Sequence, residues 1–70
     1  MKFYIQYENR QGVLMRILTE VSRRGIPFVG VDAYNGAVRL EIETVPKQDL
    51  QLLRAWRNQI DVLSADQLVP

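Results

Sequence analysis

Glu8-Asn9-Arg10-Gln11-Gly12-Val13-Leu14 is the stretch whose reading decides the fold. A strand-like run, Lys2 to Tyr7, comes before it. An amphipathic pattern follows, with Val13, Leu14, Ile17, Leu18 and Val21 at spacings that share one side of a 3.6-residue helix. Asn9 to Gly12 therefore reads as a strand-to-helix turn. Such a turn leaves peptide N–H groups free at the helix start. Those groups and the helix dipole favour a carboxylate or a phosphate. Gly12 has no Cβ, so a ligand or another backbone can come close. The plainer reading is a connecting turn whose N–H groups are solvated.

Upstream, the first strand alternates. Phe3, Ile5 and Tyr7 fall on one face, and Lys2, Tyr4 and Gln6 on the other. Downstream, the helix is expected over about Gly12 to Arg24. Arg23 and Arg24 sit in its last turn, where cations suit the dipole, and read as a solvated helix end. Gly25 supplies a left-handed cap position and Pro27 prevents continuation.

A second pattern then begins. Phe28 to Tyr34 and Ala37 to Glu43 alternate on either side of Asn35-Gly36, the strongest short signal for a two-residue hairpin. That loop sets Tyr34 against Ala37, Ala33 against Val38, Asp32 against Arg39, Val31 against Leu40 and Val29 against Ile42. The apolar members Val29, Val31, Ala33, Val38, Leu40 and Ile42 then share one face, which supports the register. Asp32 and Arg39 are expected to form a cross-strand ion pair worth ~0.2–1 kcal/mol. Pro27 and Gly30 suit an edge strand, where a second subunit could add its own sheet. Phe28 and Tyr34 are expected on the face away from the helices, beside Tyr4. With Gly30 and Asp32 they make a candidate interface.

Pro46 opens a second helix with Asp49 in its first turn and Arg54 and Arg57 late. Leu50, Leu53, Trp56 and Ile60 are the expected buried stripe, and Trp56 reads as core. The last strand is expected from about Val62 to Leu68. The order is βαββαβ. Two helices on one face of a four-stranded antiparallel sheet make an α+β, ferredoxin-like plait, a single domain over residues 1–70, with strands one and three central.

Composition narrows the functional classes. Seventy residues make a small, marginal core. Without cysteine, no disulfide or thiolate metal site can staple it. Without histidine, the commonest general base and metal ligand are missing. No metal or cofactor is expected, and no catalytic residue is assigned. Oligomerisation is the remaining stabilising device, so a homo-oligomer is expected. Nine Lys/Arg against eight Asp/Glu give a formal charge of +1 and no broad electrostatic case for nucleic acid or an anionic membrane. No apolar run approaches the ~20 residues that span a bilayer, and no signal peptide is read, so a cytoplasmic protein is expected.

Asn9-Arg10-Gln11-Gly12-Val13-Leu14, followed by Ile17, Leu18, Val21 and Gly25-Ile26, resembles the ACT-domain signature. In that family an Asp/Asn-Arg-x-Gly-Val/Leu-Leu turn opens the first helix, and a Gly-Ile-Asn-Ile type segment opens the second strand. The resemblance covers nearly the whole chain. Its flavour is similar to the N-terminal ACT domain of transcription regulators that respond to aromatic amino acids, and to the small regulatory subunit of acetolactate synthase. It implies an amino acid or similar small effector, held between paired domains, and an attached or partner enzyme or regulator. Position by position it assigns Asn9, Arg10, Gln11, Gly12, Val13 and Leu14 to the effector loop, and Pro27, Phe28 and Val29 to the strand that lines the site. Gln11 stands where the family often has proline, and Pro27 where it often has asparagine. The latter removes a polar side chain and a backbone donor.

Two alternatives stand beside this expectation. One is a ligand-free dimerisation module. The other is an acylphosphatase-like hydrolase of acyl phosphates, since Gln11 to Arg16 also resembles that family's phosphate-cradling turn, with Arg16 as its arginine. There Asp32 takes the place of the asparagine that positions water, and a carboxylate at that position would repel phosphate.

Overall fold

A computed structural model describes residues 1–68 of the chain; the last two positions of the expected 1–70 domain lie outside the described residues. The elements are β1 (Lys2–Tyr7), α1 (Val13–Arg23), β2 (Phe28–Tyr34), β3 (Ala37–Ile42), α2 (Pro46–Arg57) and β4 (Val62–Leu68). The strands form one antiparallel sheet in the order β2-β3-β1-β4, so β1 and β3 are central and β2 and β4 are the edges. This is the ferredoxin-like α+β plait.

The core sits between the sheet and the two helices. Phe3, Ile5 and Tyr7 enter it from β1, Val38, Leu40 and Ile42 from β3, and Ala65 from β4. Val13, Ile17 and Val21 meet them from α1, with Leu14 and Leu18 partly buried at the margin. Trp56 lies edge-on to Phe3, with ring centroids 5.2 Å apart.

The expected stripe of α2 needs correction. Asp49, Leu52, Leu53 and Trp56 face inward. Leu50 is 70% exposed and Ile60 94%. Positions 49, 52, 53 and 56 follow the i, i+3, i+4, i+7 rule from one starting residue. Leu50 lies one step, about 100°, off that line, and Ile60 lies beyond the end of the helix. Asp49 is tolerated inside because the Thr44 hydroxyl donates to its Oδ1.

Both turns read from glycine hold. Gly25 follows α1 at φ +68°, and Asn35-Gly36 turns with both φ positive, at 46° and 90°. A Cβ on Gly36 would lie 3.1 Å from the Tyr7 carbonyl oxygen, so the hairpin tip is seated against the end of β1.

The hairpin register holds from Tyr34–Ala37 through Gly30–Glu41 and then shifts. Gly30 pairs with Glu41 and Phe28 with Ile42, leaving Val29 as the extra residue of a bulge. Val29 therefore does not face Ile42. Phe28 takes that place and moves to the helix side of the sheet, not the open side expected for it. Nor is β2 covered. Val29 is 55% exposed and Val31 47%, because the core ends at β3.

Asp32 and Arg39 are opposite each other, but no ion pair joins them among the described residues. The Arg39 guanidinium instead lies 5.9 Å from the centre of the Tyr4 ring. Arg23 and Arg24 are not simply solvated, since both pair with Glu20. No helix among the described residues is long and apolar enough to cross a membrane.

Candidate functional site

The turn between β1 and α1 is held by three sets of bonds. Its peptide groups fold on themselves, Arg10 N–H donating to the Glu8 carbonyl at 2.8 Å and Val13 N–H to the Arg10 carbonyl at 3.3 Å. The hairpin tip supports it, through Tyr7 N–H to the Gly36 carbonyl at 2.9 Å and Asn9 Nδ2 to Asn35 Oδ1 at 3.4 Å. The loop before β4 closes the other side, with Glu8 N–H donating to the Asp61 carbonyl at 2.8 Å.

Gly12 stands at the N-cap with φ +85° and nothing within 4 Å of the position a Cβ would take. The approach to the helix start is open there. Among the described residues, the N–H groups of Gln11, Gly12 and Leu14 have no backbone acceptor in a turn or cap, whereas that of Val13 has Arg10. Of the group expected to hold a carboxylate, two N–H groups are free and the third is engaged. Val13 is wholly buried and Leu14 partly so, which makes them anchors of the turn.

Asp61 is the residue that sequence reasoning did not find. Its carboxylate meets Arg16 Nη2 at 2.5 Å and Arg10 Nη1 at 3.5 Å. The signal lies in the topology. The strand that follows Asp61 runs antiparallel to β1, so the residue before it must arrive beside the end of β1. The two arginines that could receive an anion at this turn thus already share an internal carboxylate.

Pro27, Phe28 and Val29 are not beside this turn. The Pro27 carbonyl accepts from Glu43 N–H, at the end of the sheet where Met1 meets Ile42. Six residue steps of β2 separate that end from Tyr34 and the hairpin tip, roughly 20 Å at the rise of a strand. Within one copy, the Asn9–Leu14 turn, beside the hairpin tip, and the Pro27–Val29 segment lie at opposite ends of the sheet.

On the open face, Tyr4, Asp32, Tyr34 and Arg39 border a shallow depression, and Gly30 floors a second of about 320 Å³ between Lys2, Asp32, Arg39 and Glu41. Four of the five expected interface residues, Tyr4, Gly30, Asp32 and Tyr34, are therefore neighbours. Phe28 leaves the group through the bulge.

No group of three or more potential metal-ligating side chains occurs among the described residues. No protein-family model matches the sequence, and no curated protein matches it.

Proposed function

We propose that the chain is a regulatory module that binds an amino acid or a similar small effector at the boundary between two copies of itself. One observation carries this reading. The open turn at Gly12 sits beside the hairpin tip that ends the uncovered edge strand β2, and the Pro27–Val29 segment lies at that strand's other end. Antiparallel pairing of two such edges sets the Pro27–Val29 segment of one copy beside the hairpin tip, and so beside the Asn9–Leu14 turn, of the other. A site in two pieces on one chain becomes whole twice over in a two-fold pair.

In this site the N–H groups of Gln11 and Gly12 hold the effector carboxylate at the positive end of α1. Asn9 and peptide groups of the partner's strand orient the amine. Response follows from differential affinity: the effector favours the paired arrangement that completes its site, and an attached or partner enzyme or transcription regulator reads the shift. The module as proposed has no catalytic step.

A ligand-free assembly role is the second reading. It is favoured by Asp61, which already occupies Arg10 and Arg16.

The test is a thermal-shift screen with the twenty amino acids and inorganic phosphate, repeated on Gly12→Val. A ligand at about 100 times its dissociation constant adds ~2.7 kcal/mol. The expected result is a shift with one chemical class of amino acid that disappears in a Gly12→Val protein that still melts cooperatively. A shift that survives the substitution removes the site assignment. Silence from every amino acid leaves the assembly role, and a response to phosphate alone points to the acyl-phosphate chemistry.

A further inference from the structure

Arg10 and Arg16 reach one point from two sides. Arg10 stands in the turn, and Arg16 lies one helical turn above Gly12, whose carbonyl accepts the Arg16 N–H at 3.1 Å. Long side chains on a helix lean toward its N-terminus, so the Arg16 guanidinium comes back over the start of α1. There the two guanidiniums meet an anion that belongs to the chain itself. One oxygen of the Asp61 carboxylate takes Arg16 Nη2 at 2.5 Å, and the other takes Arg10 Nη1 at 3.5 Å. The Asp61 side chain is 14% exposed, against 70% for Arg10 and 56% for Arg16, so the acid is held inside while the cations face water.

Asp61 is pinned in this place by its own main chain. Its carbonyl accepts the Glu8 N–H at 2.8 Å, which ties the residue to the end of β1. The loop before it is bonded back to α2, with Val62 N–H donating to the Gln59 carbonyl at 3.1 Å and Gln59 N–H to the Trp56 carbonyl at 3.0 Å. The carboxylate is therefore a fixed counterion. Together with exposed Glu8, it sets two acids against the two arginines, and the formal side-chain charges of the turn cancel. What remains for a ligand is the partial charge at the helix start, roughly half an elementary charge, and the N–H groups of Gln11 and Gly12. Those suit one carboxylate. A doubly charged group calls for guanidiniums that are not already engaged.

We propose that Asp61 sets the choice of anion at this turn: by neutralising Arg10 and Arg16 it admits a singly charged carboxylate and turns away sulfate, phosphate and phosphate esters. The same turn without the Asp61 charge would receive the dianion. The chain thus carries an arginine-lined anion cradle that its own carboxylate fills. This inference rests on the effector reading above for the carboxylate ligand, and its test uses anions on which that reading does not depend.

The probe is sulfate, which stays doubly charged across the neutral range, with acetate as the singly charged comparison. Both are added at constant ionic strength and followed by NMR at the Gln11 and Gly12 amides. In the parent, sulfate is expected to give no saturable shift. Asp61→Asn keeps the shape of the side chain and removes its charge. There sulfate is expected to bind saturably and roughly tenfold or more tighter than in the parent, the gain of about one charge-assisted hydrogen bond. Acetate is expected to gain less than sulfate. Adding Arg16→Gln to Asp61→Asn is expected to abolish the gain. The proposal is overturned by a parent that already binds sulfate as tightly as the variant, by a folded variant that gains nothing, by acetate gaining as much as sulfate, or by a gain that outlives the loss of Arg16. If Asp61→Asn does not fold, Asp61→Ser removes the same charge and is read in the same way. An amino-acid response of the parent without a sulfate gain in Asp61→Asn sinks this inference and leaves the effector reading standing. A sulfate gain with no amino-acid response does the reverse.

Discussion

The indole Nε1–H of Trp56 donates to the main-chain carbonyl of Ile17 at 3.0 Å, across 39 residues of sequence, in the buried layer between the two helices. The largest side chain of the core thus satisfies its one polar atom on the other helix while its ring packs edge-on to Phe3. This bond ties α2 to α1 across the core. Replacing Trp56 with Phe removes the bond and part of the volume. The expected loss is ~1–3 kcal/mol. In a domain of this size each kcal/mol lowers Tm by roughly 4–8 °C, which a calorimetric scan reads directly.

Gly12 and Gly36 should respond unequally to alanine. Both have positive φ, so both substitutions carry the left-handed penalty of ~1–2 kcal/mol. At Gly12 the added methyl meets open space, and the cost stops there. At Gly36 it also meets the Tyr7 carbonyl at 3.1 Å. Chemical denaturation of the two variants should show Gly36→Ala the less stable. Equal losses would mean the hairpin tip moves freely against β1.

The inward line of α2 is checked by a pair of substitutions. Leu52→Ala creates a cavity in the core and should cost ~2–5 kcal/mol. Leu50→Gln, on the exposed side, should stay within about 0.5 kcal/mol of the parent. Reversed sizes in urea unfolding would restore Leu50 to the core and displace Leu52 from it.

Asp61→Asn should have a small effect on stability, under ~1 kcal/mol for each pair lost, since both arginines are mostly exposed. Added salt should shrink the difference between parent and variant. A loss of several kcal/mol that salt does not change would show the carboxylate to be a buried support of the loop.

The place where the sequence was misleading is instructive. The two-residue loop at Asn35-Gly36 dictates pairing near itself, and there the register is correct to Gly30–Glu41. Beyond that point nothing local distinguishes a regular strand from a bulge, and one extra residue reverses the face of everything after it. Phe28 changed sides for that reason. Leu50 and Ile60 misled for another: a leucine or isoleucine near a helical stripe carries no mark of whether a partner exists to cover it.

By itself, the sequence determined the number, kind and order of the elements, the start of each helix and the end of α1 to within a residue, the hairpin turn and the inward faces of β1, β3 and α1. These follow from periodicity and from glycine, proline and asparagine at turns, which act within a few residues. Only the tertiary structure decided that Asp61 engages Arg10 and Arg16, that the Gly12 turn and Pro27–Val29 lie at opposite ends of the sheet, and that Arg57 covers the Ala65 carbonyl on β4 while no side chain does so on β2 among the described residues. Those are relations between residues remote in the chain. They are set by how helices seat on a twisted sheet and by which peptide groups hydrogen-bond alternation turns outward, and no local propensity encodes them.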